Sequence, residues 1–264
     1  MWRGLYTAAA GMISETTRTN VISNNLANSN TTGFKKDTAV SEEFKPMLIR
    51  RINDANQNDV TSFKGFSVGS SAPVVGTLGL GAFTSEIATD HEQGTMQTTG
   101  NPLDAAISGE GYFAVNTPQG VRYTRDGNFY RSATGQLVTG NGQAVLNRQG
   151  RPITLPQNTA SVQFGPKGEV YADNQQIDQL QFVQFNNRRA VLKQGNNLYY
   201  PQNGAQPQAA TGEIQQGMLE RSNVNAVTEM VSLISNYRVY EAGSKAVTTQ
   251  DAMLDKSVNE VGRS

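Results

Sequence analysis

The C-terminal stretch from Asn223 to Val261 carries side chains in a repeat of seven residues. Steps of four and three residues stay on one face of an α-helix, because the helix turns once per about 3.6 residues. The pattern therefore predicts one long helix of roughly 55 Å with a narrow apolar seam, as in a coiled coil. The seam comprises a first register of Leu233, Tyr240, Val247, Leu254 and Val261, and a second register of Met230, Tyr237, Ser244, Asp251 and Val258.

A helix of this length extends beyond what a small domain can cover, so the seam needs partners. Ser222, Asn223 and Asn225 are suitable N-cap residues at its start. Within it, Gly243 is expected to cost the isolated helix about 1 kcal/mol, and the polar positions Ser244 and Asp251 interrupt the seam. An ordinary amphipathic terminal helix on a globular domain is the alternative interpretation.

Residues 3–27 repeat this pattern in a milder form. Leu5, Met12, Thr19 and Leu26 are seven apart, and small residues beside them allow another helix to approach closely. The helix is expected to end in the segment Asn28–Gly33, whose polar side chains compete for backbone hydrogen bonds and whose glycine tolerates a positive φ. Helices of matching stripe geometry at both ends of the chain are expected to pack against each other.

The central region is predicted to be β-structure. Residues 37–93 are irregular: 47–52 fit a strand or a short helix, 53–64 fit a polar loop, and 65–82 are glycine-rich and extended. From 94 to 213, short strands alternate with turn signals, including the hairpin dipeptides Asp126-Gly127 and Asn141-Gly142. Tyr123 and Phe129 are expected in its core. The prediction is an α+β chain whose irregular all-β centre is a sandwich or a partly open barrel.

Composition removes several classes of function. Lysines and arginines number 22 and aspartates and glutamates number 22, so electrostatics favour neither nucleic acid nor an anionic membrane as a partner. The chain has no cysteine and a single histidine, His91, which excludes disulfides, thiolate metal sites and His-paired nucleophiles within one chain. Neither a cofactor nor a small-molecule substrate is expected. No apolar segment typical of a cleaved secretory signal or a membrane span is found in the sequence.

Four segments, in this order along the chain, closely resemble the bacterial flagellar basal-body rod and hook protein family. They are NNLANSNTTGFK at 24–35, TGNPLDAAI at 99–107, YTRDGNF at 123–129, and the C-terminal helix with the asparagines that precede it. One such motif is a weak signal, whereas four in family order are a strong one. The chain length resembles that of the distal or proximal rod proteins that carry one β domain.

The resemblance implies a structural subunit without enzymatic activity, exported by the flagellar type III apparatus without a cleaved signal peptide. Such subunits form a helical homopolymer, the drive shaft that transmits torque to the hook, in the extracytoplasmic basal body. Their partners are copies of themselves, neighbouring rod and hook proteins, the export apparatus, and outer ring proteins where an outer membrane is present. The implied domains are 1–36 with 214–264 as the axial core, 37–93 as a linker and 94–213 as the β domain.

The terminal helices would line the inner tube as coiled coils and become ordered when neighbouring copies bury them. The residues expected at this assembly interface are Leu5, Met12, Ile22, Asn24, Asn25, Leu26, Asn28, Gly33, Met230, Leu233, Tyr237, Tyr240, Val247, Leu254 and Val258. The amides among them either cap the first helix locally or bond to the next subunit.

Three alternatives remain open at this stage. The first is a hook or hook-associated axial protein, and the second is a coiled-coil surface adhesin with a β head. The third is an enzyme that cleaves glycans with a pair of carboxylates, for which Asp104, Glu110 and Asp126 are candidates. Turn-stabilising hydrogen bonds are the simpler interpretation of Asp104 and Asp126. Gly76–Gly81 and Gly109–Gly111 lack the Lys-Ser/Thr ending of a phosphate-binding loop.

Overall fold

The computed structural model describes residues 2–44, 47–50, 62–63, 66–67, 74–79, 81–202 and 204–261. The fold is α+β, with a helix at each end and a mostly β centre, as the sequence predicts. Helix α1 comprises Trp2–Ala27, and helix α2 comprises Ala226–Lys256 and continues as a π-helical turn over Ser257–Val261. A 3-10 turn covers Arg188–Ala190.

The strands before and within the first half of the β region are β1 Asp37–Glu43, β2 Met47–Arg50, β3 Ser62–Phe63, β4 Phe66–Ser67, β5 Val74–Leu78, β6 Ala82–Thr89, β7 Met96–Thr98, β8 Ala105–Ser108, β9 Tyr112–Thr117, β10 Gly120–Thr124 and β11 Phe129–Arg131. The later strands are β12 Leu137–Thr139, β13 Ala144–Val145, β14 Val162–Phe164, β15 Glu169–Ala172, β16 Gln175–Gln179, β17 Phe182–Gln184, β18 Val191–Gly195, β19 Leu198–Pro201, β20 Gln208–Ala209, β21 Glu213–Gln216 and β22 Met218–Glu220.

Both predicted helices are confirmed, and their ends follow the expected chemistry. The Asn225 side-chain oxygen accepts hydrogen bonds from the Val227 and Thr228 amides at 3.1 Å each, which is N-cap geometry for α2. After α1 the backbone reaches Gly33, whose φ of 65° is readily adopted by glycine. A Cβ there would lie 2.5 Å from the Arg125 carbonyl carbon, so close backbone approach also requires a glycine.

The largest sheet has nine strands, in the order β11-β12-β13-β9-β10-β19-β18, with β17 pairing with both β9 and β20. A three-stranded sheet, β14-β15-β16, lies later in the chain, and β8 and β7 pair with β21 and β22. Strand β9 is buried on both faces of its sheet. Phe113 and Val115 join an apolar cluster with residues of β8, β14, β15 and β21. Tyr112 and Ala114 join a second cluster with Tyr123 and residues of β18 and β19.

The two predicted hairpin dipeptides behave differently. Asn141-Gly142 forms the turn between β12 and β13, which are paired, and Gly142 has a φ of 77°. The Asp126-Gly127 prediction is wrong, because β10 and β11 are not neighbours in the sheet. Gly127 is instead a point of close approach, where a Cβ would lie 1.6 Å from the Ala105 carbonyl oxygen. The Ala105 amide donates to the Gly127 carbonyl at 3.0 Å.

The irregular region contains short two-stranded pairs. Residues 47–50 are the strand β2, paired with β5, which decides between the strand and helix predicted there. The predicted extended chain over 65–82 agrees with β4 and β5 where the structure describes it. The predicted loop at 53–64 lies outside the described residues except for β3. Strand β1 pairs with β6.

The chain divides into two compact units. The first contains residues 1–20, 39–87 and 234–264, and the second contains residues 21–38 and 88–233. In the first unit, α1 contacts the strands β1 and β6: the Ser14 hydroxyl lies 3.3 Å from the hydroxyls of Ser41 and Thr84. In the second unit, the last turns of α1 contribute the buried residues Val21 and Ile22.

Candidate functional site

Most of the apolar surface of helix α2 is exposed to solvent. Of its residues, all of which the structure describes, Asn236 is the one that is buried. Half-buried residues recur at steps of three and four along the same face, which is the face that meets α1 in the first unit. These half-buried residues are Gly243, Val247, Gln250 and Leu254. The α1-facing side of α2 is therefore a mixture of polar, small and apolar residues.

A stripe of exposed apolar side chains follows the opposite side of α2. At about 100° per residue, its members lie on the side of the helix turned away from Asn236. Ile234 is 56% exposed and Tyr237 is 66% exposed. We call this set the apolar stripe: Val227, Met230, Val231, Ile234 and Tyr237. Contiguous exposed apolar surface of this kind is typical of sites that contact proteins, membranes or ligands.

The structure separates the two predicted registers of α2. In the first register Leu233, Val247 and Leu254 are half-buried, and Tyr240 is more exposed. In the second register the apolar members Met230, Tyr237 and Val258 are exposed. The second row of the α1-facing side is instead formed by Asn236, Gly243 and Gln250. The predicted seam therefore mixes residues from two different surfaces of α2, one that faces α1 and one that is exposed.

On α1, Leu5, Met12 and Leu26 are half-buried, and Ile22 is buried. Two large apolar residues that the sequence analysis did not select, Tyr6 and Ile13, are 64% and 70% exposed. Their spacing of seven residues was the signal that could have found them. They are two exposed apolar residues on one face of α1.

The asparagine-rich segment after α1 is held by contacts within its own chain. The buried Asn25 side chain donates to the Asp37 carbonyl at 2.8 Å and accepts from the Asp37 amide at 2.9 Å. The Asn28 side chain donates to the Asn24 carbonyl at 2.9 Å, which is local capping of α1. The Gly33 amide donates to the Glu220 carbonyl at 2.7 Å. Of these residues, the Asn24 side chain is exposed to solvent.

A buried charge cluster, which the sequence analysis did not predict, joins this segment to the β strands of the second unit. Glu220 of β22 is 1% exposed and accepts from the ammonium group of Lys35 at 2.5 Å. Its other carboxylate oxygen lies 3.2 Å from the guanidinium of Arg125. The Gly94 amide also donates to Glu220, at 2.8 Å. One carboxylate therefore binds two cations and an amide from separate parts of the chain.

Electrostatics in this cluster are dominated by burial. Burial lowers the pKa of Lys35, and the opposite charge of Glu220 counteracts that effect. The Lys35 ammonium also donates to the Glu92 carbonyl at 2.6 Å, so its charge is solvated by the protein. Lys193, whose pKa is also lowered by burial, pairs with Asp37 at 2.8 Å. The segment 35–37 is thus fixed to the β strands through ion pairs as well as backbone bonds.

His91 lies next to this cluster. Its Nδ1 atom is 2.8 Å from the Tyr112 hydroxyl, and its ring packs near Tyr199 with centroids 5.9 Å apart. Burial, together with the nearby cations of Lys35, Arg188, Arg125 and Lys193, lowers the pKa of His91 to about 4. Burial also raises the pKa of Tyr112 to about 12. Both side chains are therefore neutral at pH 7.

Acid is expected to destabilise the second unit through His91. The folded-state pKa of about 4 lies below the ordinary value of 6.5, so the neutral form is favoured by folding. This stabilisation is complete above pH 6.5 and is lost as the pH falls towards 4, which amounts to about 3 kcal/mol. An NMR titration reads this pKa directly because the chain has a single histidine. A pKa near 6.5 in the folded chain would contradict the prediction, and His91→Asn, which cannot titrate, is the control for the stability curve.

The carboxylates considered for catalysis occupy structural positions. Asp104 accepts from the Thr99 hydroxyl at 2.6 Å and the Asn101 side-chain amide at 3.0 Å. Asp126 accepts from the Thr32 hydroxyl at 2.7 Å, and Glu110 forms an exposed ion pair with Arg188. Within the described part of the chain, no cluster of three or more metal-ligating residues occurs. A search of the same residues finds no helix with the length and hydropathy to cross a bilayer.

Three family models match successive parts of the chain. "Flagella basal body rod protein" matches residues 5–35, "Flagellar hook protein FlgE/F/G D1 domain" matches 106–172, and "Flagellar basal body rod FlgEFG protein C-terminal" matches 215–260. The two terminal matches contain most of α1 and α2, and the central match contains strands β9–β13 of the nine-stranded sheet. The three matches together describe a structural protein of the flagellar basal body.

Whole-chain relatives give the same result. The chain is 37% identical to flagellar basal-body rod protein FlgG of Bacillus subtilis (strain 168), over 98% of this chain and 99% of the relative. It is 38% identical to FlgG of Caulobacter vibrioides over 96% and 97% of the two chains, and 31% identical to FlgF of that organism over 100% and 99%. The chain belongs to the flagellar basal-body rod protein family. It is a FlgG/FlgF-like structural subunit of the basal body and not an enzyme.

Proposed function

We propose that this rod subunit forms a helical homopolymer in which α1 and α2 pair as a coiled coil and line the inner wall of a tube. The observation that carries the proposal is the apolar stripe of α2, which lies opposite the side that α1 contacts. A helix that uses one side within its chain and exposes apolar residues on the other is suited to binding neighbouring copies. The β region, proposed to be sandwich-like, would form the outer layer.

The proposed interface assigns different roles to the residues on the two sides of α2. Met230, Tyr237 and Val258 are exposed and would contact neighbouring subunits. Leu233, Tyr240, Val247 and Leu254 would form the coiled-coil contact with α1. On the first helix, Leu5, Met12, Ile22 and Leu26 would stabilise the pair, while Asn24, Asn25, Asn28 and Gly33 hold the chain where it leaves α1.

The same division suggests domain roles. Residues 1–36 and 214–264 would form the axial core, 37–93 a linker, and 94–213 the outer β domain. Torque would pass from the axial core to the β domain through the buried charges around Glu220, since Glu220 of the axial core binds Arg125 and the Gly94 amide of the β domain. A rigid connection at this point suits a shaft.

Export and surroundings are proposed from the family. We infer that the flagellar type III apparatus exports the chain unfolded, without a cleaved signal peptide, into the periplasmic space of the cell envelope. A chain that is free of cysteines cannot be trapped by disulfides on this route. Its neighbours would be other rod and hook proteins, and outer ring proteins where an outer membrane is present.

Amide hydrogen exchange on the soluble chain tests the role of assembly in ordering the helices. We expect residues 3–20 and 240–258 to exchange at least about 100-fold faster than β9, because few buried contacts hold them. In the polymer the same residues should become protected. Equal protection of these helices and β9 in the soluble chain would contradict the proposal, and β9 itself is the internal control.

A further inference from the structure

Asn236 makes the most specific contact between the two helices of the first unit. Its side-chain nitrogen donates to the Glu15 carbonyl at 2.8 Å and lies 2.6 Å from the Thr19 hydroxyl. The residue is 4% exposed, so these bonds are made away from water. A buried amide is stable only where it meets hydrogen-bonding partners, and the Glu15 carbonyl and the Thr19 hydroxyl of α1 supply them.

Two glycines restrict the same pairing by shape. A Cβ on Gly243 would lie 2.9 Å from the Met12 Cγ atom, so Met12 occupies the space that a side chain would fill. A Cβ on Gly4 would lie 3.0 Å from the Gln250 side-chain nitrogen. Thus Met12 of α1 packs against a glycine of α2, and Gln250 of α2 packs against a glycine of α1. Displacing one helix along the other would separate both pairs.

We propose that Asn236, Gly243 and Gly4 together fix the axial register of α2 against α1. Apolar side chains alone pack at several heptad offsets, because each offset places similar groups opposite one another. A buried amide favours one offset, because at the neighbouring heptad offsets Met12 or Leu26 would replace Thr19, whose hydroxyl now contacts the amide. The register in turn decides which part of the apolar stripe is presented to a neighbouring copy, a consequence that rests on the proposed function.

The test measures a distance between the helices in chains that retain or lack the amide. Arg18→Cys and Ala242→Cys place spin labels on exposed positions of α1 and α2, and no native cysteine competes for the label. The labelled chain is polymerised with an excess of unlabelled wild-type chain, so that pulsed electron resonance reads distances within one chain. The compared backgrounds are wild type, Asn236→Leu and the matched control Ser235→Leu, which changes an exposed neighbour.

The wild-type and Ser235→Leu chains should give one narrow distance. Asn236→Leu should add a second population of distances, from chains in which α2 is shifted along α1 by one heptad, an axial length of about 10 Å. A single unchanged distance in Asn236→Leu would overturn the proposal. Failure of the wild-type chain to polymerise, seen by electron microscopy, counts against the proposed function instead. In that case the same three chains are compared in solution with trimethylamine N-oxide, which favours compact states, and the same two outcomes decide.

Discussion

The substitution Glu220→Gln is expected to lower the free energy of unfolding of the second unit by about 3–5 kcal/mol. The side chain keeps its shape but loses the charge that faces Lys35 and Arg125, which are 1% and 5% exposed. Both cations would then be buried without a counter-ion, and an uncompensated buried charge is far more costly than a lost surface pair. Urea denaturation followed by circular dichroism in the β region measures the change.

Glu213→Gln is the matched control, because Glu213 lies on β21, the strand that precedes β22 in the chain, and is exposed. We expect it to change the free energy of unfolding by less than about 0.5 kcal/mol. Adding Lys35→Met to Glu220→Gln should recover part of the loss, since it removes one unpaired cation. A loss below about 1 kcal/mol for Glu220→Gln would contradict the account of this cluster.

The substitution Ile234→Asp is expected to weaken polymerisation strongly while leaving the soluble chain folded. Ile234 is 56% exposed in the subunit, so a carboxylate there costs the monomer little. In the polymer the same position would be buried against a neighbour, losing about 2 kcal/mol of apolar burial and adding the cost of desolvating a charge. Because each 1.4 kcal/mol is tenfold in affinity, the critical concentration should rise by about 100-fold or more.

Sedimentation over a concentration series measures the critical concentration, and circular dichroism confirms the fold. Ser235→Asp introduces the same charge at the next residue, beside the apolar stripe and not in it, and is expected to raise the critical concentration by less than about tenfold. An Ile234→Asp chain that polymerises at the wild-type concentration would show that the stripe is not an assembly surface.

The helices could be predicted from the sequence because their periodic patterns extend over many turns and each has a clear end signal. What each face of these helices packs against could not be predicted. Gly243 was expected only to weaken α2, whereas in the structure it provides the space for Met12. Asn236 does not fit an apolar pattern, and its burial is favourable because its side chain donates to the Glu15 carbonyl, which is 221 positions away. The exposed position of Met230 and Tyr237 followed from that pairing.

In the β region, local signals predicted several strands and one of the two hairpin turns. Asp126-Gly127 misled the prediction because glycine there serves a close approach to Ala105, and that contact is not local in sequence. The buried charges were missed for the same reason, since Lys35 and Glu220 are separated by 185 positions. Long-range pairing of this kind leaves no periodic trace in a single sequence.

The central claim is that the terminal helices become a tube wall only when many copies of the chain assemble. Electron cryomicroscopy of the polymer formed by the purified wild-type chain tests it most directly. We expect a hollow tube with α1 and α2 paired along its inner wall, the apolar stripe buried between copies, and the β region outside. A tube with the β region inside, or a stripe that stays in water in the assembled state, would contradict the claim.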